Sequence, residues 1–546
     1  MKMVKSLLLA SAAGLVATAG AQAADLPVKA KAVEYVKVCS LYGVGFYYIP
    51  GTDTCIRIGG HLRSEIGWNS GGSDFQAYGP TNGNTTGGRD RDYFYTRQRV
   101  FLQTDTRTQS EWGTVRTFSL IRFEFNILNP IATIAPVPPT NNYGTANLGM
   151  DAGYIQWGGL TVGKLLPSFY DLPWSDYASS YTGQSSQGSE DTTGGVFTLG
   201  YTYQFGNGVS GTLAVQDMKQ LRNRATANLV TAIPAAAGSA GGSLASSAGG
   251  EHAPDIVGNI LVNQAWGTFQ VSAMARDLTY LYNGSNGSFG CIPVAALGPW
   301  CSGTQSDTWG YAAQAGLKIN LPWGIGGQDA FWIQGGWAHG ITNATYNINS
   351  ASGIGIFNGA SGGGGANSVT FGYVADAIYA ASGPFPGVTV TPQLTNSWGV
   401  SGTFEHNWND KWKSSVTAGY GGINYNATAD ALLCAKFGVA SLTSVAAGVT
   451  STAALSGALI GTNCNFNLRQ VAVSGRTLWT PVRDFQIGLE VQWSRWFNQL
   501  GAGAVYVTPP GGVLTAAAVP IVPGATGFVL HDQDIFSGYL AFRRYF

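Results

Sequence analysis

Apolar and polar residues alternate with a period of two along many segments of this chain, as in strands with two unlike faces. In CIRIGGHLRSEIGW, which begins at residue 55, one face carries Ile56, Ile58, Leu62 and Ile66, and the other carries Arg57, His61, Arg63 and Glu65. YTRQRVFLQT, TVRTFSLIRFEFN and FQIGLEVQW repeat the pattern. It predicts about sixteen strands, near 55–68, 92–106, 113–127, 147–157, 160–166, 195–204, 209–218, 253–265, 267–279, 308–320, 329–340, 395–407, 411–425, 467–479, 484–496 and 534–546.

A soluble sandwich and a membrane barrel both show such alternation, and three features favour the barrel. The predicted strands are about twice the usual length of soluble strands. Their polar faces carry clustered arginines. Short turns at 205–208, 266–267, 407–410 and 480–484 also alternate with long loops at 219–251, 281–306, 341–394, 426–466 and 498–532. The fold class is therefore all-β, a transmembrane antiparallel β-barrel. Within 341–394, the segment NSVTFGYVADAIYA is either a hairpin inside the loop or another wall strand.

Composition supports a barrel over a soluble enzyme or a helical membrane protein. Charged residues make up 11% of the chain, against about 25% in typical soluble domains. The mean hydropathy is +0.05, as expected when one face of the wall is apolar and the other is polar. The formal net charge is zero, so the composition lacks the excess of basic residues that is typical of nucleic-acid-binding proteins.

The first residues have the pattern of a cleaved signal peptide. MKMVK is basic, SLLLASAAGLVATAG is apolar, and AQA at 21–23 is a cleavage site, so we expect cleavage after Ala23. The predicted organisation is a signal peptide at 1–23, a periplasmic segment at 24–54 and the barrel at 55–546. A chain exported in this way reaches a compartment where disulfides persist.

Six cysteines allow 15 pairings. Pairing neighbours along the chain closes three short loops, and we favour it: Cys39 with Cys55, Cys291 with Cys301, and Cys434 with Cys464. No C-x-x-C motif occurs, and the histidines show no paired metal spacing, so the sequence predicts neither a metal site nor a cofactor.

Three stretches resemble the porin family of alphaproteobacterial outer membranes. DLPVKAKAVEYVKVCSLYGVGFYYIPGTDTCIRIGGHLRSEIGW is similar to the family's opening, GYIQWGGLTVGKLLPSFYD resembles its approach to the constriction loop, and the final Phe546 matches its assembly signal. Arg544 departs from the aromatic residue that many barrels carry two places before the end. The resemblance implies a homotrimer of sixteen-stranded passive diffusion pores, inserted by the barrel-assembly machinery into outer-membrane lipid. It also implies that the third long loop, about 167–194, folds inward as a constriction.

Opposed charges are expected to line this constriction. The loop contributes the acidic residues Asp171, Asp176, Glu190 and Asp191, and the first three strands contribute Arg57, Arg63, Arg97, Arg99, Arg116 and Arg122. Acid facing base would set a transverse field that selects among ions and polar solutes. A single arginine in such a wall can equally pair with a neighbouring carboxylate and stiffen the sheet.

No residue pattern indicates catalysis. GGLTVGK lacks the Ser or Thr that a phosphate-binding loop places after its lysine, and GASGG lies in a glycine-rich run rather than on a strand-to-helix elbow. The sequence therefore predicts an outer-membrane porin that passes ions and small hydrophilic solutes and is not an enzyme. The alternatives are a substrate-selective channel and a surface-exposed structural or adhesive barrel.

Overall fold

The computed structural model describes residues 38–68, 94–127, 145–174, 195–217, 226–228, 248–280, 292–294, 298–300, 306–323, 329–345, 354–358, 368–382, 388–439, 458–508 and 526–546. The chain comprises two compact units, Met1–Arg57 and Ile58–Phe546. The predicted signal peptide at 1–23 lies outside the described residues, and the proposed cleavage stays a prediction.

The described part of the first unit is a small disulfide-bonded segment. Cys39 and Cys55 are joined, with their Cα atoms 6.0 Å apart, as predicted. Both cysteines are buried together with Phe46. The strand Tyr47–Tyr48 pairs antiparallel with Cys55 and Ile56. The disulfide therefore anchors a short hairpin at the start of the first long strand.

Sixteen strands form the wall, which agrees with the alternation pattern. They are β1 (Cys55–Trp68), β2 (Phe94–Ser110), β3 (Gly113–Ile127), β4 (Thr145–Trp157), β5 (Leu160–Leu165), β6 (Val196–Gly206), β7 (Val209–Asp217), β8 (Asp255–Gln264), β9 (Gly267–Leu278), β10 (Thr308–Leu321), β11 (Asp329–His339), β12 (Asn396–Asn409), β13 (Trp412–Asn424), β14 (Leu468–Val482), β15 (Phe485–Asn498) and β16 (Gln533–Tyr545). Each pairs antiparallel with the next along the chain.

The last strand closes the sheet by pairing with the first. His61 to Trp68 of β1 lie opposite Tyr545 to Gly538 of β16. Gly60 and Phe546 continue the ladder, exchanging two backbone hydrogen bonds of 3.1 Å. Closure satisfies the backbone groups of both edge strands, which an open sheet in lipid would leave unpaired. The prediction that the final strand is part of the wall is confirmed.

The two faces of the wall differ as the sequence predicted. Large apolar side chains point outward and are exposed, including Leu62, Phe123, Leu213, Val416 and Leu489. Polar side chains point inward and are mostly buried, including Arg63, Arg99, Gln270, Thr417 and Gln492. Since water would not favour so much exposed apolar surface, this arrangement is that of a barrel surrounded by lipid. In the described ranges, no helix is long and apolar enough to span a membrane.

The long connections all leave one end of the barrel, which we call the long-loop end, and the short turns lie at the other, the short-turn end. Part of the long-loop sequence is folded. Helix α1 (Ala427–Phe437) is joined to the following loop by the predicted Cys434–Cys464 disulfide. Cys291 and Cys301 lie outside the described residues, so their pairing stays a prediction.

We call the described part of three long connections the loop cap: residues 354–358, 368–382, 388–394, 426–439, 458–466, 500–508 and 526–530. It contains α1 and a six-stranded sheet, in the order Ile354–Asn358, Ser368–Tyr373, Thr526–Leu530, Val505–Thr508, Ala458–Ile460 and Gly438–Val439. A three-stranded sheet pairs Val388–Leu394 and Ala377–Ser382 of the first of these connections with Thr226–Asn228, which lies in the connection between β7 and β8. The segment NSVTFGYVADAIYA supplies one strand to each sheet. It is therefore not a wall strand. Each of its two strands pairs antiparallel with a neighbouring strand of the same loop, Ile354–Asn358 or Val388–Leu394.

The loop cap has its own apolar core. Phe371, Leu433, Phe437 and Leu530 are buried in it. The core includes three wall residues, Ile423, Leu468 and Trp496, which lie at the long-loop ends of β13, β14 and β15. The cap thus packs on the inner rim of these strands, and part of the barrel mouth is covered by folded chain.

Candidate functional site

The described part of the loop after β5 folds into the barrel, in the direction that the family resemblance implied. We call its described part, Pro167–Trp174, the inner segment. Polar side chains on the lumen faces of four strands bind it. Asn259 Nδ2 donates to Phe169 O at 2.6 Å, Gln270 Nε2 donates to Asp171 O at 2.8 Å, Gln314 donates to Tyr170 O, and Trp174 Nε1 donates to Gln334 Oε1 at 3.0 Å. The inner segment therefore crosses β8 to β11.

Apolar contacts hold the inner segment against the same strands. Tyr170 and Leu172 are fully buried, and Tyr170 packs with Val257, Met274, Ala312 and Ala338 of the wall. The close approach requires glycine at position 316, where an added Cβ would lie 2.5 Å from Trp174 Cζ2 and 2.6 Å from Leu172 Cδ1. Small lumen-facing residues thus make room for the segment.

A second buried segment contacts the inner segment from the long-loop side. Ile341, Thr342, Ala344 and Thr345 follow β11 and are all fully buried. Tyr170 Oη donates to Ala344 O at 3.5 Å. Thr342 is held in turn by Asp376, whose Oδ1 accepts from its backbone N–H and its hydroxyl at 2.8 and 2.7 Å. The inner segment is therefore fixed by side chains of the wall and by the connection after β11.

The four acidic residues predicted for the constriction are only partly described. Asp171 lies in the inner segment, but its side chain is buried, and its Oδ2 accepts a hydrogen bond of 2.7 Å from the backbone N–H of Ser168. Asp176, Glu190 and Asp191 lie outside the described residues. The placement of these acids around the pore stays a prediction, and for Asp171 the buried position gives a role in shaping the loop.

The predicted basic residues of β1 to β3 come together on the lumen face. Glu65 pairs with both Arg63 and Arg97, and all three side chains are almost completely buried. Arg99 lies directly opposite Glu124 and bonds it at 2.5 Å. Arg63 Nη2 also donates to Tyr539 Oη at 2.7 Å, which links β1 to β16. These arginines are therefore neutralised by carboxylates of the wall.

Near the short-turn end, one carboxylate holds two opposed arginines. Arg107 and Arg116 occupy directly opposite positions on β2 and β3, where like charges repel. Asp105 accepts two hydrogen bonds from each, at 2.9 to 3.1 Å. Arg116 also lies over the rings of Phe118 and Tyr154, at 5.2 and 5.6 Å. The pair of arginines is thus fixed in place.

Arg122, on the lumen face of β3, contacts two carboxylates. Its Nη1 lies 3.0 Å from Glu124 Oε2, and its Nε lies 3.3 Å from Asp151 Oδ1. Asp151 is the extra residue at an irregularity in the pairing of β3 with β4. Arg57, the remaining predicted member, belongs to the first unit, where its guanidinium lies 5.2 Å from the ring of Phe46.

Sequence reasoning missed three members of this network: Asp105, Arg107 and Asp151. The alternation in TDTRTQ continues to residue 110, whereas the predicted strand ended at 106 and left Arg107 out. Asp151 follows an irregular register that period-two counting cannot detect. The strand boundary at 106 therefore concealed Arg107. Asp105 lay inside the predicted strand, but it was not singled out as a site residue.

The lumen has two unlike sides. Strands β12 to β16 and β1 to β4 carry most of the described ion pairs and form the charged wall, including Lys413 and Arg476 with Glu405 at 3.1 and 3.5 Å. Beneath the inner segment, strands β6 to β11 carry the buried pair of Arg276 with Asp255 at 2.7 Å and a set of uncharged polar groups: Thr198, Thr212, Asn259, Gln270, Gln314 and Gln334. Solutes in the lumen would pass between the charged wall and a wall covered by the inner segment.

One group of potential metal ligands occurs among the described residues. Atoms of His252, Asp277 and Asp307, at the long-loop end, lie within 4.8 Å of one another. His252 Nδ1 is already 3.1 Å from Asp307 Oδ2, and both of these side chains are exposed. The group lies away from the charged wall.

Comparison with known proteins supports a channel architecture. Residues 25–509 match the family described as the porin subfamily. The chain is 37% identical to porin Omp2b of Brucella suis over 220 residues, which is 39% of this chain and 52% of that protein. It is 36% identical to porin Omp2b of Brucella abortus (strain 2308) over 217 residues, 39% of this chain and 54% of that protein. The alignment thus spans about half the length of these curated relatives.

A solved structure shares the fold. The outer membrane channel DcaP of Acinetobacter baumannii superposes with a TM-score of 0.51 at 11% identity, covering 91% of this chain and 99% of that one. At this identity the likeness concerns the arrangement of strands alone.

Proposed function

Because the chain belongs to the porin subfamily, we propose that it forms a water-filled channel for passive diffusion of ions and small hydrophilic solutes. The single observation that carries the proposal is the closed sixteen-stranded wall whose inner segment lies across the lumen from a charged wall. A barrel of this size encloses an aqueous path unless chain fills it. Family membership also indicates a channel rather than an enzyme, and the protein is located in the outer membrane.

The physical basis of passage is electrostatic and steric. Charged groups in a narrow lumen set ion preference, and ordered water near them disfavours apolar solutes that would displace it. The inner segment narrows the lumen and fixes the size limit. Solutes move down their own gradients, so the scheme requires neither an energy source nor a change in covalent bonds.

The partners of the channel are part of the same proposal. We infer a homotrimer in outer-membrane lipid, inserted by the barrel-assembly machinery through recognition of Phe546. Membership of the porin family supports self-association, and the exposed apolar outer face supports contact with lipid.

Reconstitution into planar lipid bilayers tests the function. Purified protein should give stepwise increases in conductance, and sugars of increasing size should cease to enter the pore at a defined radius. A structural or adhesive barrel would give no conductance steps. A substrate-selective channel would instead show conductance that one solute class blocks at low concentration, and either result would contradict the proposal.

A further inference from the structure

In the ion pairs of β2 to β4, the carboxylates lie beneath the arginines. The side chain of Asp105 is 0% exposed, whereas those of its partners Arg107 and Arg116 are each 27% exposed. Arg122 is likewise 27% exposed, against 10% for Glu124 and 6% for Asp151. The groups that these pairs present to lumen water are therefore guanidinium groups.

Only some arginines of this network reach the lumen water. Arg63, Arg97 and Arg99 are nearly inaccessible. Arg107, Arg116 and Arg122 are the more exposed ones. Lys413 on the neighbouring charged wall repeats the pattern, because its side chain is more exposed than that of Glu405.

These three arginines are distributed along the direction of transport. Arg116 and Arg122 lie on the same strand, and six residues of strand span roughly 20 Å. Arg107 is directly opposite Arg116 at the short-turn end. A solute crossing the barrel along β3 would therefore pass cationic groups over much of the wall.

We propose that Arg107, Arg116 and Arg122 form a cationic track that makes the pore prefer anions, in particular small carboxylates and phosphate esters. This inference rests on the proposed function as a diffusion channel and names the solutes that it favours. The carboxylates offset part of this charge, but their side chains are less exposed than those of the arginines, so the guanidinium groups lie nearer the lumen water. The transverse field expected from the constriction acids acts across the pore, whereas the track acts along it.

Reversal potentials in a potassium chloride gradient test the proposal. The wild-type pore should be more permeable to chloride than to potassium at 0.1 M salt, and the ratio should decrease at 1 M because screening shortens to about 3 Å. The combined variant Asp105→Asn, Arg107→Gln and Arg116→Gln removes one net positive charge. At roughly 8 Å in water, losing one positive charge lowers the partition of chloride about twofold and raises that of potassium about twofold, so the ratio should fall about fourfold.

Two further variants separate charge from structure. Arg107→Lys with Arg116→Lys keeps the charges and should keep the anion preference. Asp255→Asn with Arg276→Gln neutralises a fully buried pair on the opposite wall and should leave the ratio unchanged. The cationic track is overturned if the pore is more permeable to potassium than to chloride, or if the combined variant does not alter the permeability ratio. Either result would leave the proposed function as a diffusion channel intact. Absence of conductance would instead contradict the proposed function.

Discussion

Gly316 shows how one residue positions the inner segment. Any side chain there meets Leu172 and Trp174 at less than 3 Å. Gly316→Ala should push the inner segment toward the lumen axis and destabilise the barrel by about 1–3 kcal/mol, as overpacking does. The expected result is a lower single-channel conductance and a lower unfolding temperature in detergent.

Gly475→Ala is the matched control, because a Cβ at position 475 meets no atom within 4 Å. Both glycines lie within wall strands, on β10 and β14. If the two variants have the same conductance and stability, the contact between Gly316 and the inner segment does not determine the width of the pore.

Asp105 is the residue on which two opposed arginines depend. Asp105→Asn leaves Arg107 and Arg116 facing each other without a neutralising charge, and should destabilise the barrel by about 3 kcal/mol. Thermal unfolding in detergent measures the loss. Asp410→Asn, in an exposed turn, should have no measurable effect. Equal stability of the two variants would contradict the bridging role of Asp105.

At the scale of elements, the loop cap depends on a disulfide that joins α1 to the loop before β14. Closing a loop of 30 residues contributes about 3–4 kcal/mol in the chain-entropy account. Replacing Cys434 and Cys464 by serine should therefore open the cap without unfolding the wall. Hydrogen exchange should increase in 427–437, while the exchange of β12 to β14 amides stays slow.

Replacing Cys39 and Cys55 by serine is the control for this change, because that disulfide lies in the first unit. It should leave exchange in α1 unaltered. The prediction fails if both pairs of substitutions accelerate α1 equally, or if neither does.

The loop cap should also respond to pH through Asp430. Burial raises the pKa of this carboxyl, although a hydrogen bond of 3.0 Å from the Phe466 N–H to its Oδ1 opposes the shift. The folded cap therefore holds a proton over a pH range in which the unfolded segment has lost it. Its stability is complete below the usual aspartate pKa and decreases as pH rises through the raised value.

Asp430→Asn keeps an acceptor oxygen for Phe466 and removes the titration. The opening free energy of the cap, from hydrogen exchange corrected for intrinsic rates, should fall between pH 4 and 7 in the wild type and stay level in the variant. A parallel pH dependence in both proteins would assign the effect to another group.

The sequence predicted the wall strands well, but of the loop cap it predicted only the Cys434–Cys464 disulfide, for a physical reason. Wall strands carry their signal locally, because lipid and lumen impose opposite polarity on successive residues. The core of the loop cap joins residues from distant connections, such as Phe371, Leu433 and Leu530. These residues are far apart in the sequence, so no local period reveals that they pack together.

The candidate site was predicted in part. The arginines of β1 to β3 were identified because several strands repeat them on one face. Their contacts depend on register: the pairing of β2 with β3 places Arg99 opposite Glu124, which neutralises it, and places Arg107 opposite Arg116, so that both need Asp105. The burial of Asp171 depends on the fold of the inner segment, and residue type alone could not reveal it.

At the scale of the whole molecule, Phe546 combines two roles that one variant can separate. Its backbone pairs with Gly60 at the closure of the barrel, and its exposed side chain matches a family assembly signal. Phe546→Ala keeps the backbone pairing. We expect the refolded variant to conduct normally in bilayers, whereas its amount in the outer membrane of expressing cells decreases several-fold. Normal membrane levels would contradict the recognition of Phe546.

Closure also constrains the order of events in folding. Arg63 and Tyr539 are hydrogen-bonded across the first and last strands although 476 residues separate them along the chain. Contacts at such a separation form late, because the entropy of the intervening chain has to be lost first. Until then both edges of the sheet can pair with other polypeptides. The export route therefore has to keep the chain unfolded until its final strand has arrived.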